Sequence, residues 1–215
     1  VRCDRDRLDV TEVLLIRHAL ADPVGRTIAG RAPGVHLNRI GRRQAGALAA
    51  RLAKLPIAGV YTSPLERAHE TAEPVAARLG TPVREAAGLI ELDYGAWTGR
   101  AIAELDGDPV WRRFNTQRGT TRIPGGETMD EVVARGTEEL RRVAEAHPGG
   151  LVAAVTHGDV IRALLAHYGG MPLDAMLRLE VAPASVSGIR LGPCPRVTAI
   201  NWRADGLGES DYVEQ

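Results

Sequence analysis

The stretch "TEVLLIRHALAD" (residues 11–22) sets four branched apolar side chains, Val13 to Ile16, directly before Arg17 and His18. A buried strand gains nothing from a permanent cation and an imidazole at its tip, so the pair points to chemistry. A second stretch, "LVAAVTHGD" (151–159), ends in the same way at His157 and Gly158. Arg67 comes shortly after a third apolar run, "AGVYT" (58–62), in the first turn of the helix expected there. Glu91 follows the apolar "GLI" (88–90). Brought to one edge, these residues give two guanidiniums, two imidazoles, one carboxyl and helix N-termini. All but the carboxyl favour an anion, and an arginine fork matches phosphate oxygens two at a time.

The residue types then suggest roles. A neutral imidazole attacks phosphorus directly and carries the phosphoryl group, and neighbouring arginines help by disfavouring its protonation. His18 is therefore the expected nucleophile. Arg17, Arg67, His157 and the amide of Gly158 would hold the oxygens through the transition state by position and charge, with no metal and no cofactor needed. Glu91 would give the leaving group its proton and later take one from water, which calls for a pKa raised toward neutrality.

Positioning such a set requires strands whose carboxyl ends meet, and strand and helix signals do alternate along the chain, as in a layered α/β domain. A helix is expected from about Asn38, with Ala45, Leu48, Ala49 and Leu52 on one face. Ser63, Pro64 and Glu66 read as the capped start of another, bent at Pro74 and ended by Gly80. Thr128 with Glu131 caps a third, whose Val132, Val133, Gly136, Leu140 and Val143 face inward. The run 151–156 is apolar throughout, as a strand covered on both faces should be. "SVSGIRL" and "VTAINW", joined through "GPCPR", read as a closing antiparallel pair.

With 215 residues the chain suits one domain, and 27 basic against 27 acidic side chains mark no nucleic-acid or membrane surface. The start "VRCDRDRLD" has no apolar core for a signal peptide, and no run approaches the roughly 20 residues of a membrane span. Cys3 and Cys194 are too few for a disulfide framework, so a reduced, cytoplasmic setting is expected. The domain is expected over 12–203, after a charged extension (1–11) and before a polar, acidic, frayed tail (204–215).

In this order, "LLIRHA", "TSPLERAHETA", "IELDYGAWTGR", "PGGET" and "VTHGDVIRALL" resemble the histidine phosphatase superfamily, the phosphoglycerate-mutase-like enzymes. "IAGRAPGVHLNRIGRRQA" is similar to a bacterial subfamily described as phosphomutases. The resemblance implies a three-layer α/β/α sandwich with a mostly parallel sheet. It also implies a phosphohistidine at His18, Glu91 as proton donor, and Arg17, Arg67 and His157 on the phosphate. Ala19 stands where the family usually has Gly, and the family's phosphate-contacting Asn is absent from "ALADPVGRTIAG", leaving Thr27 as the stand-in.

These readings favour a phosphomonoester hydrolase acting on a small phosphorylated metabolite, as a monomer or homodimer. A phosphomutase is the alternative, although Gly99 and Arg100 stand where the glycolytic mutases carry Asn-Lys. A metal hydrolase using His18, His157, Asp22 or Asp159 lacks any HxH or HExxH spacing. A non-catalytic phosphate sensor sits badly with two histidines and Glu91. Tyr94, Trp97 and Trp111 are expected to pack rather than stack on substrate, and His36, His69, His147 and His167 to be ordinary. Arg112, Arg113, Arg118 and Arg122 divide evenly between a solvated face and a site for a second anionic group.

Overall fold

The computed structural model describes residues 10–22 and 26–203. The acidic tail and most of the charged N-terminal extension, with the signal-peptide reading that rests on it, lie outside the described residues. Among the described residues, strands β1 (Thr11–Arg17), β2 (Ile57–Thr62), β3 (Val83–Glu85), β4 (Leu151–Thr156), β5 (Ser185–Leu191) and β6 (Arg196–Arg203) form one sheet. Its order is β3-β2-β4-β1-β5-β6. The pairs β2/β3, β2/β4 and β1/β4 are parallel, while β1/β5 and β5/β6 are antiparallel. The expected closing pair is thus the antiparallel edge of a mostly parallel sheet.

Alternation along the central strands builds the two outer layers. Val13 and Leu15 of β1, with Val152 and Ala154 of β4, pack under helices α5 (Met129–Ala146) and α6 (Gly158–Tyr168). Ile16, Ala153 and Val155 turn to the other face, under α1 (Arg39–Leu52) and α2 (Glu66–Leu79). Both faces of β1 and β4 are therefore dry, which is why their sequences read as unbroken apolar runs. Between β3 and α5 the chain carries two 3₁₀ turns, Ala87–Leu89 and Gly95–Trp97, and the short helices α3 (Ile102–Leu105) and α4 (Pro109–Thr116).

Local signals set the helix ends. Asn38 caps α1 by accepting from the Gly41 N–H at 2.8 Å, and Thr128 with Glu131 forms the expected capping box of α5. On α5 Val132, Gly136, Leu140 and Val143 are buried, while Val133 is only partly so. Helix α2 runs through Pro74 and ends at Gly80, whose φ of 65° suits the left-handed cap. Its start departs from the sequence reading. Leu65, not Ser63, is the N-cap, without a side-chain bond, because the Ser63 hydroxyl lies 2.7 Å from His157 Nε2. The Glu66 carboxylate accepts instead from the Gly34 N–H across the loop.

Cys194 lies in the β5–β6 turn, whereas Cys3, and with it the expectation that both cysteines are reduced, lies outside the described residues. Among the described residues, no helix is long and apolar enough to cross a membrane.

The segment that leaves β1 is held tightly. The Ala19 N–H donates to Thr71 Oγ1 (3.0 Å), the Leu20 N–H to Gln44 Oε1 (3.0 Å), and Leu20 O accepts from the Asn38 N–H (3.1 Å). Helix α1 approaches so closely that a Cβ on Gly41 would lie 2.0 Å from Leu20 O, whereas one on Gly46, in the same helix, would meet nothing within 4 Å. Gly41→Ala should therefore destabilise by about 1–3 kcal/mol. Gly46→Ala should stabilise by about 0.5–1 kcal/mol, through helix propensity. Urea unfolding midpoints at constant m test the pair, and equal shifts would contradict this packing.

Candidate active site

Parallel pairing in register brings the two strand-end motifs together. Arg17 is opposite Thr156, and the His18 N–H donates to Thr156 O at 2.8 Å, so His18 and His157 become neighbours. Their ring centroids are 5.2 Å apart. On the other side of β4 the Ser63 N–H donates to Val155 O (2.8 Å), which seats the β2–α2 turn beside His157. Arg17, His18, Arg67, Glu91, Gly158 and Thr27, all singled out from the sequence, line one cavity of about 290 Å³. His157 lies behind it, fully buried, and contacts the ring of His18.

His18 is 4% exposed, and its Nδ1–H donates to Ala19 O at 2.8 Å. That bond leaves the Nε2 lone pair facing Arg67, whose Nε–H donates to it at 3.3 Å. Burial first, then the charges of Arg67 and Arg17, hold the His18 pKa well below the usual histidine range. His157 is shifted the same way, by burial and then Arg67. Both imidazoles are therefore neutral near pH 7.

The guanidiniums are partly anchored and partly open. Arg67 donates from Nη2 to Gly30 O (2.8 Å) and Arg17 from Nη1 to Val181 O (2.7 Å). Among the described residues, their buried Arg67 Nη1 and Arg17 Nε have no hydrogen-bond partner. Gly158 opens α6 between two guanidiniums, and a Cβ there would lie 3.2 Å from Arg162 Nη1 and 3.3 Å from Arg17 Nε. Donors left over at a helix N-terminus suit a multiply charged oxyanion.

Glu91 is not at a strand end. It follows a 3₁₀ turn, Ala87–Leu89, and its side chain is 13% exposed rather than solvated. Burial, reinforced by the charge of Asp159, pushes its pKa up to about 7. A partly buried clamp fixes its backbone. Arg31 Nε–H (2.8 Å) and Arg135 Nη2–H (3.2 Å) both donate to Glu91 O, and Glu127 of the "PGGET" loop pairs with both arginines. Gly95, at φ 46°, lets this segment meet the same loop, since a Cβ would sit 2.3 Å from Pro124 O. Glu127 is thus committed to arginines and Asp93 is paired with Arg31, while Glu85 is exposed on β3.

The far end of the cavity is built around Asp159, which the sequence reading named only for the alternative of a metal hydrolase. Asp159 accepts from Arg118 Nη1–H (3.0 Å), from Arg162 Nη1–H (3.3 Å) and from the Tyr94 hydroxyl. Although burial opposes it, these arginines pull the Asp159 pKa down to about 2. Asp159 and Arg162 sit one turn apart in "HGDVIR", so helical spacing was the signal available for them. Of the four arginines in question, only Arg118 enters the cavity. Arg122 pairs with Glu131, and Arg112 and Arg113 are exposed.

Trp97 is buried against Trp111 and Phe114, while Tyr94 and Trp111 also reach the cavity wall. His36 and His69 pair with Glu70 and Glu73, and His147 bonds Tyr61. Thr27 bridges to Ala101 at the cavity edge. Among the described residues, no group of three His, Cys, Asp or Glu side chains is arranged to hold a metal ion.

The chain is 36% identical over 168 residues to the metal-independent phosphoserine phosphatase of Arabidopsis thaliana, covering 73% of this chain and 68% of that one. It is 32% identical to a Klebsiella pneumoniae protein named as a phosphoglycerate mutase, GpmB, across 94% of this chain and 95% of the relative. The solved structure of a mycobacterial glucosyl-3-phosphoglycerate phosphatase superposes with a TM-score of 0.81 at 28% identity, covering 90% of this chain and 99% of that one. The chain spans about half (54%) of the length of mycobacterial relatives that it matches at 35% identity. A family model matches residues 13–202, from the first core strand to the last and with both buried histidines inside, and the chain belongs to the histidine phosphatase superfamily (branch 1).

Proposed function

We propose that this domain hydrolyses small phosphomonoesters through a phosphohistidine on His18, without a metal. The observation that supports this most is the state of His18. Its Nδ1–H is fixed on Ala19 O and its neutral Nε2 lies between guanidiniums with unused donors. In the first step the Nε2 lone pair attacks phosphorus and the bond to the ester oxygen breaks. Glu91 delivers its proton to that oxygen. Arg17, Arg67, His157 and the Gly158 amide hold the three remaining oxygens, with Thr27 at the rim of their site. In the second step the Glu91 carboxylate takes a proton from water as the water attacks phosphorus. The N–P bond breaks and the pair returns to Nε2, leaving inorganic phosphate.

Arg118 and Arg162, placed around Asp159, give the far end of the cavity donors for the remainder of the substrate. The relative named GpmB favours a second reading, in which the phosphoryl group returns to a substrate hydroxyl instead of water. Release of free phosphate with and without an acceptor alcohol separates the two.

His18→Ala should lower turnover of every phosphomonoester by several orders of magnitude and abolish acid-labile phosphate on the protein. Activity retained in a clean preparation would refute the nucleophile. Exhaustive chelation should leave the wild-type rate unchanged.

Glu91 acts as an acid only while protonated, and its pKa stands at about 7. With an alkyl phosphate, kcat/KM should therefore hold below neutrality and fall as pH rises through about 7. With p-nitrophenyl phosphate, whose leaving group needs no proton, that alkaline limb should be absent. In Glu91→Gln, phosphorylation of His18 by the alkyl substrate should collapse while the aryl substrate still forms phosphoenzyme, which accumulates because water has lost its base. Single-turnover measurements on both substrates check this, and equal losses would remove Glu91 from the proton transfers.

A further inference from the structure

We infer that Ser63 is a positioning residue that sets the tautomer of His157, so that the ring presents Nδ1–H, not a lone pair, to the reaction site. The inference rests on the phosphohistidine reading above, since it gives His157 a donor for a phosphoryl oxygen. Ser63 and His157 are both fully buried, and Ser63 Oγ lies 2.7 Å from His157 Nε2. That single contact allows either group to donate, and the surroundings decide which one does.

The Ser63 hydroxyl already accepts, from the Leu65 N–H at 3.4 Å at the start of α2. Among the described residues, no carbonyl or carboxylate hydrogen-bonds to it, and the acceptor available to its proton is His157 Nε2. If His157 donated instead, the hydroxyl proton would be buried without an acceptor, which is costly in a site closed to water. Ser63 O–H therefore donates and Nε2 accepts. A neutral imidazole carries one proton, so it resides on Nδ1. That nitrogen is buried, has no hydrogen-bond partner among the described residues, and lies 3.8 Å from Glu91 Oε2. It faces the carboxyl group beside which the ester bond breaks.

The two histidines reach complementary tautomers by different means. In His18 a backbone carbonyl takes the Nδ1 proton and frees Nε2 to attack. In His157 a serine hydroxyl occupies Nε2 and frees Nδ1–H to donate. The second arrangement places a hydrogen-bond donor on a buried ring that burial and Arg67 keep from becoming a cation. The β2–α2 turn thus helps prepare the site, and the displaced cap of α2 has a function.

The test is nitrogen NMR on the full chain labelled with 15N-histidine, with the His157 signals assigned by their loss in His157→Asn. The wild type should show a protonated Nδ1 and an unprotonated Nε2 at His157. In Ser63→Ala the Nε2–H form should appear, with kcat for p-nitrophenyl phosphate falling about ten- to a hundredfold. Ser63→Thr, which keeps the hydroxyl, should restore both readouts. An Nε2–H tautomer in the wild type would overturn the inference whether or not any variant folds. So would an unchanged tautomer in Ser63→Ala. Failure of the wild type to form a phosphohistidine would instead strike the underlying reading, and that assay is separate from the spectrum.

Discussion

The parallel, in-register pairing of β1 with β4 is the constraint from which the site follows. Seen from sequence alone, Arg17 and Thr156 are far apart, yet they sit opposite one another in the sheet, so the residues after each strand emerge side by side. Both strands are covered on both faces, which fixes the register strongly, because a one-residue slip would turn every core side chain to the wrong layer. The same pairing places β2 along the other side of β4 and brings Ser63 and Arg67 to this edge. A ladder held by hydrophobic burial thereby specifies the spacing of two imidazoles.

Burying several guanidiniums around those imidazoles opposes folding unless their donors are satisfied. Backbone carbonyls meet part of the demand, Gly30 O for Arg67 and Val181 O for Arg17, and Asp159 neutralises the far end. Among the described residues, Arg17 Nε and Arg67 Nη1 remain without a partner beside the histidines, as does Arg118 Nε at the far end. Site and scaffold are therefore coupled electrostatically. The positive field that depresses the histidine pKa values is the same field that suits an oxyanion, whereas burial and Asp159 raise Glu91. Two kinds of titratable group pushed in opposite directions within one cavity support the proposed pairing of an acid with a nucleophile.

The cavity walls are irregular chain, and α2 and the "PGGET" loop stiffen them. Glu66 and Glu70, on either side of Arg67, accept from the Gly34 and Leu37 N–H groups, so the helix that supplies a guanidinium also pins the opposite wall. Across the cavity, Arg31 ties that wall to the Glu91 segment through Glu91 O and Glu127. Loops of this kind hold functional residues accurately only when a rigid frame fixes their backbone polar groups.

The sequence by itself determined the local elements and the chemistry. Apolar runs of strand length, the caps at Asn38 and Thr128, the left-handed stop at Gly80 and the cationic residues at strand ends are all short-range signals, readable because their causes lie within a few residues. Family motifs added the fold and the pairing of His18 with Glu91. Tertiary structure alone decided matters that depend on a partner distant in sequence. Ser63 resembles a helix cap until His157 claims its hydroxyl, and only the fold supplies the burial and the Asp159 neighbour that raise the Glu91 pKa. Arg118 is indistinguishable from Arg112, Arg113 and Arg122 by composition, and only packing over Phe114 and pairing with Asp159 turn it inward. Charge and hydrogen-bonding capacity belong to the residue, but burial and the identity of the partner belong to the fold.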